Sequence, residues 1–258
     1  MDNLFDMTGK VAIVTGSTKG IGKAIAEQYA NHGAKVVISS RKADACEQVA
    51  EAINAAGVSG EAIPIACNVS HKEQLEHLVA KTREKWGQID VLCANAAVNP
   101  YYGSSLDIPD EAFDKIMGVN IRSNTWLCNM VIPEMRERKD GSIIIVSSIG
   151  GLKGSPVIGA YCISKAADMQ IVRNYSVEFS KHNIRFNTIA PGLVQTDFAR
   201  ALWEDPERSR SRIEATPLAR LGDPDDIAGI AVYLGSRAGS WTTGQTFVVD
   251  GGVMITGG

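Results

Sequence analysis

Tyr161 and Lys165 stand four positions apart in a stretch whose apolar spacing predicts a helix. Residues four apart lie one helical turn apart, so the phenol and the ammonium would project from the same face. Because a nearby positive charge favours the phenolate, we expect Lys165 to lower the pKa of Tyr161 from its ordinary value near ~10. A tyrosine tuned in this way can act as acid or base near neutral pH. Alone, the pair could also be a partly buried tyrosine beside a surface lysine.

Two polar residues could complete a catalytic set with this pair. Ser148 follows the apolar run 143–146 and precedes Tyr161 by thirteen positions, which puts it at the carboxyl end of a predicted central strand. Open α/β sheets carry their chemistry at this end, and the hydroxyl could hold a carbonyl oxygen. Asn120 lies within the predicted helix 112–138, where an amide is a poor helix former, although it could also be a solvent-facing or capping residue.

A glycine-rich turn follows the first predicted strand and leads into a helix. Its residues read Thr15-Gly-Ser-Thr-Lys-Gly-Ile-Gly22. Glycines let the backbone turn tightly and approach a pyrophosphate, and the free N–H groups of the helix N-terminus stabilise its charge. We predict dinucleotide binding here, although a glycine turn can also be a simple tight turn. The predicted contacts are Gly16, Thr18, Lys19, Gly20, Ile21 and Gly22.

The end of the second predicted strand indicates which dinucleotide binds. An acidic residue at this point usually binds the ribose 2′-hydroxyl of NAD, but the chain reads Ser39-Ser-Arg-Lys42. Arg41 offers a charged fork to a 2′-phosphate, Ser40 adds a hydroxyl donor, and Lys19 adds a second cation. The sequence therefore predicts NADP(H), with NAD(H) as the alternative if these cations are only surface charges.

Strand and helix signals alternate along the chain. Seven apolar runs predict strands, at 11–14, 36–38, 62–65, 91–92, 142–146, 184–189 and 246–249. Helical spacing is found over 21–32, 43–56, 72–86, 112–138 and 160–182. Continuous apolar strands imply burial on both faces. We therefore predict an α/β fold: a single Rossmann-like domain over 1–258, with a doubly wound, parallel, seven-stranded sheet and helices on both faces. The charged segment 193–221 is predicted to be a substrate-binding lid, although it could also be a solvated helical excursion.

Composition excludes several other classes. The 258 residues carry a net charge of −3, which is too balanced for general nucleic-acid binding. The five cysteines form no C-x-x-C pair and the histidines no H-x-x-x-H pair, so we expect reduced thiols and no metal site. No apolar run is long enough for a membrane span, and the first residues lack a signal sequence. The expectation is a cytoplasmic protein without a membrane partner.

Taken together, these motifs resemble the short-chain dehydrogenase/reductase family over nearly the whole chain. The matching residues are Thr15 to Gly22, Asn95-Ala-Ala97, Val119-Asn120, Ser148, Tyr161, Lys165, Asn187, Pro191-Gly192 and Val249 to Gly252. Residues such as Ser40-Arg41 and Asn95 to Pro100 also resemble NADPH-dependent carbonyl and retinol reductases of peroxisomal type. The chain departs from the usual pattern at Ala97, where the family commonly has glycine, and at Asn68, where it commonly has aspartate.

The resemblance implies a role for each matched residue. Tyr161 would donate the proton, Lys165 would lower its pKa and hold the nicotinamide ribose, and Ser148 would orient the substrate oxygen. Asn120 would anchor a water that relays protons to Lys165. Further cofactor contacts are implied for Asn68, Val69, Asn95, Ala96, Pro191, Gly192, Val194 and Thr196. A homotetramer is implied as well.

The substrate is expected to be a small-molecule carbonyl compound or secondary alcohol with a bulky apolar body. That expectation rests on apolar residues of three loops, any of which could instead be core or interface residues: Tyr101, Tyr102, Leu152, Val157, Leu202 and Trp203. A 3-oxoacyl-[acyl carrier protein] reductase and an NAD-dependent alcohol dehydrogenase are alternative functions. A non-enzymatic dinucleotide sensor is disfavoured by the complete catalytic set.

Overall fold

The computed structural model describes residues 3–256, so the two ends of the predicted 1–258 domain lie outside the described residues. All seven predicted strands are present in one parallel sheet, in the order β3-β2-β1-β4-β5-β6-β7. The strands are β1 (Val11–Thr15), β2 (Lys35–Ser39), β3 (Glu61–Pro64), β4 (Val91–Ala94), β5 (Gly141–Val146), β6 (Ile184–Pro191) and β7 (Thr246–Val249). The predicted fold class is confirmed.

Helices cover both faces of the sheet. They are α1 (Gly20–Asn31), α2 (Ala43–Ala55), α3 (Lys72–Trp86), α4 (Asp110–Ile116), α5 (Ser123–Arg138), α6 (Gly159–Phe179), α7 (Arg200–Trp203), α8 (Pro206–Glu214) and α9 (Pro224–Gly235). The spacing analysis did not identify α9, which packs against α1. Within the described residues, no helix is both long and apolar enough to span a bilayer.

The alternation of side chains along each strand builds two apolar cores. Ala12 and Val14 of β1 point into the core beneath α1, α2 and α9, whereas Ile13 points into the core beneath α3, α5 and α6. Strand order reverses between β1 and β4, so the carboxyl ends of these neighbours border a crevice. Ligands of doubly wound folds bind at this point.

The predicted helix 112–138 is not continuous. It begins as α4, passes through a π-helical segment at Met117–Arg122, and continues as α5. Asn120 lies inside the π-helical segment, where its side chain bonds to another loop rather than to solvent. Periodicity did not reveal the interruption, because the apolar spacing carries across it.

Candidate active site

Tyr161 and Lys165 lie one turn apart on α6, as their spacing predicts. Lys165 is only 2% exposed, and its ammonium donates to the carbonyl oxygen of Val146 at 2.9 Å and to Oδ2 of Asp168 at 3.1 Å. The same ammonium lies 5.8 Å from the centroid of the Tyr161 ring. Because a lysine carries three N–H groups, one remains for a group bound beside Tyr161.

Asp168 is the buried anion beneath this lysine. Besides Lys165, it binds Asn124, whose Nδ2 donates to Oδ1 of Asp168 at 3.0 Å. Burial by itself lowers the pKa of Lys165, but the negative charge of Asp168, together with that of Tyr161 once the phenol has ionised, outweighs burial and holds that pKa above its ordinary value. Lys165 therefore stays positively charged. Sequence reasoning missed Asp168 and Asn124, although an acidic residue three positions after Lys165 falls on the same helix face.

Opposing effects set the pKa of Tyr161. Burial raises this pKa above the ordinary 10.0, whereas the charge of Lys165 and a hydrogen bond from Ser148 lower it without cancelling the effect of burial. Lys165 thus acts in the expected sense, but in the protein chain alone burial outweighs its effect on the pKa. Residue spacing does not report desolvation. At neutral pH the phenol retains its proton and can donate it.

Two serines at the end of β5 have different tasks. Ser147 is buried, and its Oγ donates to the carbonyl oxygen of Lys165 at 2.7 Å, which fixes α6 against the sheet. Ser148 is partly exposed, and its Oγ accepts from the backbone N–H of Gly150 at 3.0 Å. This bond uses only an acceptor site of Ser148, so its hydroxyl proton, which bonds to Tyr161 in the protein chain alone, can turn to a substrate oxygen. Ser147 was not among the predicted site residues.

Asn120 holds the loop after β4 against α6. Its Oδ1 accepts from the backbone N–H of Val98 at 2.9 Å, and its Nδ2 donates to the carbonyl oxygen of Val98 and to Oγ of Ser164, both at 3.0 Å. Both amide N–H groups are therefore engaged. A water bound at Asn120 would therefore have to donate to the side-chain or backbone carbonyl oxygen of this residue.

The glycine turn has the shape that a pyrophosphate needs. Gly16 and Gly20 adopt φ angles of +67° and +57°, which favour glycine, and a Cβ on Gly22 would lie 2.4 Å from the carbonyl oxygen of Gly16. No side chain caps the first turn of α1, so its N–H groups are available to an anion. Thr18 and Ile21 are half-buried in the same turn.

Side chains from neighbouring strands brace this turn. Thr15 Oγ1 accepts from the backbone N–H groups of Asn95 and Ala96 at 3.0 and 3.1 Å, and Asn95 Nδ2 donates to the carbonyl oxygen of Thr15 at 2.9 Å. Ser17, which sequence reasoning missed, is fully buried, and its Oγ accepts from the N–H of Ser39 at 2.8 Å. The predicted residues Asn95 and Ala96 thus lie directly against the glycine turn.

The cations predicted to read the cofactor phosphate differ in their surroundings. Arg41 is exposed and has no hydrogen-bond or ion-pair partner within residues 3–256. Lys19 is instead paired with Asp197 at 3.0 Å. The hydroxyl of Ser40 lies 3.4 Å from Sγ of Cys46. The unpaired Arg41, the uncapped helix and the glycine turn together fit a phosphorylated dinucleotide, with Arg41 as the available phosphate ligand.

The loop after β3 borders the same end of the cleft. The N–H of Cys67 donates to the carbonyl oxygen of Ser40 at 2.8 Å, which brings the half-buried Asn68 next to the end of β2. Oδ1 of Asn68 accepts from the N–H of Ser70 at 3.1 Å, and Val69 packs partly against the core. Asn68 and Val69 therefore lie where an adenine could reach them.

The segment after β6 forms the opposite wall of the cleft. Pro191 ends the strand, and the N–H of Gly192 donates to the carbonyl oxygen of Val249 at 2.9 Å. Val194 is buried, and the methyl group of Thr196 would lie 3.0 Å from a Cβ on Gly20. The segment that follows β6 thus brings Thr196 to the glycine turn that follows β1.

A pocket opens beside Tyr161, but its walls differ from those predicted. It is lined by Asn99, Tyr101, Gly103, Ser105, Ile108, Ile116, Ile158, Gly159, Ala160 and Tyr161. Tyr101 is the predicted member present, whereas Tyr102, Leu152 and Val157 are exposed to solvent. The surface position of these three residues leaves the pocket less apolar than expected, because backbone direction and not residue type decides which loop side chains face inward.

Segment 193–221 contributes to the rim of the site. Trp203 is half-buried and its Nε1 donates to the carbonyl oxygen of Thr196 at 3.0 Å, while Leu202 is also half-buried. Phe198 was not predicted, yet its ring centroid lies 6.1 Å from that of Tyr161. An aromatic side chain of this segment therefore borders the reacting phenol.

Comparisons with known proteins agree with this arrangement. Residues 16–254 match a family model described as enoyl-(acyl carrier protein) reductase. Dehydrogenase/reductase SDR family member 4 of Bos taurus is 42% identical over 248 residues, covering 96% of this chain and 88% of that protein. Gluconate 5-dehydrogenase from Burkholderia cenocepacia J2315, solved with NADP and tartrate, is 27% identical with a TM-score of 0.92, covering 98% of each chain. A 7α-hydroxysteroid dehydrogenase, solved with NADH and 7-oxo glycochenodeoxycholic acid, is 35% identical with a TM-score of 0.91, again covering 98% of each.

Proposed function

The chain belongs to the short-chain dehydrogenase/reductase family. We propose that it is an NADP(H)-dependent oxidoreductase that reduces ketones or aldehydes, or oxidises the corresponding alcohols in the reverse direction. Members of the family are oxidoreductases that act on alcohol and carbonyl groups with NAD(P). The observation that carries the proposal is the protonated phenol of Tyr161 beside the buried ammonium of Lys165, at the carboxyl end of the sheet.

Each residue of the site has a definite task in this proposal. NADPH, when bound, supplies the hydride. Tyr161 donates its proton to the carbonyl oxygen, and Ser148 donates a hydrogen bond that orients the same oxygen. The one free N–H of Lys165 holds the phenol or the cofactor ribose. Asn120 keeps the loop after β4 in position, with a relay water as its further proposed role.

The preference for NADP(H) rests on Arg41. Its guanidinium is exposed and unpaired within the described residues, at the end of β2 where no carboxylate opposes a 2′-phosphate. The gluconate 5-dehydrogenase was solved with NADP, which supports this choice, whereas the hydroxysteroid dehydrogenase was solved with NADH. NAD(H) therefore remains the alternative cofactor.

A second candidate activity is reduction of a 3-oxoacyl thioester on a carrier protein. The description of the matching family model names an acyl carrier protein substrate, which supports this kind of substrate, although the reaction it names is reduction of an enoyl double bond. The same Tyr161 and Ser148 would serve a thioester-bound ketone. A higher kcat/KM for acyl carrier substrates than for free ketones would identify this activity.

Three further features belong to the proposal. Segment 193–221 acts as a lid, as its aromatic contact with Tyr161 suggests. The protein forms a homotetramer, in which exposed apolar residues such as Val177, Trp241 and Val248 become buried. It works in the cytoplasm, where its five unpaired, buried cysteines stay reduced.

Calorimetric titration with NADPH and NADH, followed by a panel of carbonyl compounds monitored by loss of NADPH absorbance, tests the function. The expected result is tighter binding of NADPH and turnover of ketones or aldehydes. Tighter binding of NADH would contradict the role of Arg41. Binding without turnover of any carbonyl or acyl carrier substrate would contradict catalysis.

A further inference from the structure

The segment between β6 and α9 is tied to the glycine turn by an ion pair. Nζ of Lys19 lies 3.0 Å from Oδ2 of Asp197. The preceding residue, Thr196, contacts the same turn, because its methyl group would lie 3.0 Å from a Cβ on Gly20. Two consecutive residues of the glycine turn thus meet two consecutive residues of the opposite wall of the cleft.

Asp197 is held between two cations. Its Oδ2 accepts from Lys19, and its Oδ1 accepts from Nη2 of Arg200 at 2.6 Å. Hydrogen bonds from Lys19 and Arg200 hold the pKa of Asp197 below its ordinary value, so the carboxylate stays charged at neutral pH. The side chains of Lys19 and Asp197 are 68% and 47% exposed, so the pair is weak enough to open and close.

The segment that carries Asp197 is fixed at its base. The N–H of Gln195 donates to the carbonyl oxygen of Gly222 at 2.9 Å, and the N–H of Gly222 donates to the carbonyl oxygen of Leu193 at 3.0 Å. Segment 195–221 therefore leaves the body of the fold and returns to it at one point. This arrangement lets a segment pivot at its base while contacts farther along it open and close.

A dinucleotide would have to pass between the two walls of the cleft. Its pyrophosphate would lie at the glycine turn and the uncapped start of α1, directly beside Lys19. Its nicotinamide would have to reach Tyr161, whose ring centroid lies 6.1 Å from that of Phe198, the residue after Asp197. Because the Lys19–Asp197 pair joins the two walls along this path, it has to open when a dinucleotide enters or leaves.

We propose that Lys19 and Asp197 form a gate that controls how fast either dinucleotide enters and leaves, and that Lys19 does not select between NADPH and NADH. The inference rests on the proposed function, since it requires a protein that binds a dinucleotide. Arg41 then distinguishes the 2′-phosphate, because it has no partner within residues 3–256 whereas Lys19 is engaged by Asp197. A gate that closes on the empty and the loaded protein alike changes the association and dissociation rate constants together and leaves the dissociation constant nearly unchanged.

Asp197→Asn is the decisive variant, because a gate and a direct phosphate contact predict opposite results. If the pair is a gate, the association and dissociation rate constants of NADPH and of NADH should all rise by about 2- to 5-fold, since exposed ion pairs are weak. If Lys19 instead binds the 2′-phosphate, the loss of Asp197 frees Lys19, so NADPH should bind more tightly and NADH should not. Stopped-flow measurements of nicotinamide fluorescence at physiological ionic strength give these rate constants.

A second variant breaks the same ion pair from the other side. Lys19→Met should change the rate constants of NADPH and NADH by the same factor, and adding Asp197→Asn should accelerate them no further. Glu27→Gln is the control, because it removes one negative charge from another surface ion pair, Lys23–Glu27, which lies within α1 at 2.6 Å. The rate constants of this control should equal those of the wild type.

The outcomes separate the gate from the function on which it rests. Wild-type rate constants in both single variants, or the same acceleration in Glu27→Gln, overturn the inference. A change confined to NADPH in either variant also overturns it and identifies Lys19 as a ligand of the 2′-phosphate. Each of these results leaves the reductase function intact if the wild type reduces carbonyl compounds. If the wild type binds neither dinucleotide, the proposed function fails and the inference fails with it.

Discussion

Asp168 holds the charge of Lys165, and replacing it perturbs the site without touching a group that would contact substrate. The two side chains are 0% and 2% exposed, and their charged atoms are 3.1 Å apart. Asp168→Leu removes the charge and both hydrogen bonds of the carboxylate. Asp168→Asn removes the charge but can keep one acceptor toward Lys165. Comparing the two variants separates the effect of charge from that of hydrogen bonding.

The cost of this change follows from the geometry. With an effective dielectric constant of about 20, unit charges 3.1 Å apart attract each other by about 5 kcal/mol. Breaking a buried ion pair by removing one partner generally costs about 3–5 kcal/mol. We therefore expect Asp168→Leu to lose about 3–5 kcal/mol of unfolding free energy at pH 7. For a chain of this size the melting temperature should fall by roughly 10 °C.

The pH dependence gives a second readout that a purely structural role would not change. In the wild type the pKa of Lys165 is higher in the folded protein than in the unfolded chain. The charged lysine therefore stabilises the fold fully below its unfolded pKa, and this contribution is lost only as pH rises through the folded pKa. Without Asp168, burial dominates and lowers that pKa. The lysine then loses its proton at a lower pH, and kcat/KM should decline at alkaline pH where the wild type is still active.

Urea unfolding and the pH profile of kcat/KM with NADPH measure these effects. Asp140→Asn is the control, because it breaks a second Lys–Asp pair, between Lys10 and Asp140. The side chains of these two residues are 32% and 49% exposed, respectively. Exposed pairs contribute about 1 kcal/mol or less, and the control should keep the wild-type pH profile. Asp168 variants with wild-type stability and a wild-type alkaline limb would refute the reasoning.

Four further outcomes are expected. Tyr161→Phe removes the phenolic proton donor, so kcat should fall by at least about 100-fold while calorimetry still detects NADPH binding. Arg41→Ala should weaken NADPH binding by about 10-fold or more and leave NADH binding unchanged, because only the 2′-phosphate requires the cation. Gly22→Ala inserts a methyl group 2.4 Å from backbone oxygen, so NADPH affinity and about 1–3 kcal/mol of stability should be lost. Arg220 lowers the pKa of Asp226 in the folded protein to about 2. The contact therefore stabilises the fold above the pKa that this carboxyl group has in the unfolded chain, and the stabilisation is lost as pH falls through about 2. Asp226→Asn should lower the free energy of unfolding by about 1 kcal/mol at pH 7, measured by urea unfolding.

Controls and contrary results for these four are available in the same chain. Lys42→Ala tests a neighbouring exposed cation and should affect both dinucleotides little. Gly229→Ala adds a methyl group with no heavy atom within 4 Å and should leave NADPH binding intact. A phenylalanine variant with normal kcat, equal losses for both dinucleotides, or full NADPH affinity after the Gly22 change would each contradict its assignment. If Asp226→Asn loses stability at acidic pH in the same way as the wild type, the stabilising contact with Arg220 is contradicted.

Local features of the chain were readable from its sequence. The seven strands, the glycine turn after β1 and the helical spacing of Tyr161 and Lys165 depend on neighbours within a few residues, so periodicity and residue type suffice to predict them. The fold class, the family and the oxidoreductase function follow from these features, and the structure and the comparisons confirm them.

Contacts between distant elements required the tertiary structure. The bonds of Ser17 to Ser39 and of Asn120 to Val98, and the pairing of Lys19 with Asp197, join segments that meet only because the sheet stacks them.

Burial likewise has no counterpart in residue spacing. It outweighs the lowering effect of Lys165 on the pKa of Tyr161, and it leaves the side chains of Lys165 and Asp168 only 2% and 0% exposed. Spacing along a helix specifies which side chains share a face, whereas the energy of a charge on that face depends on how much water the rest of the protein removes.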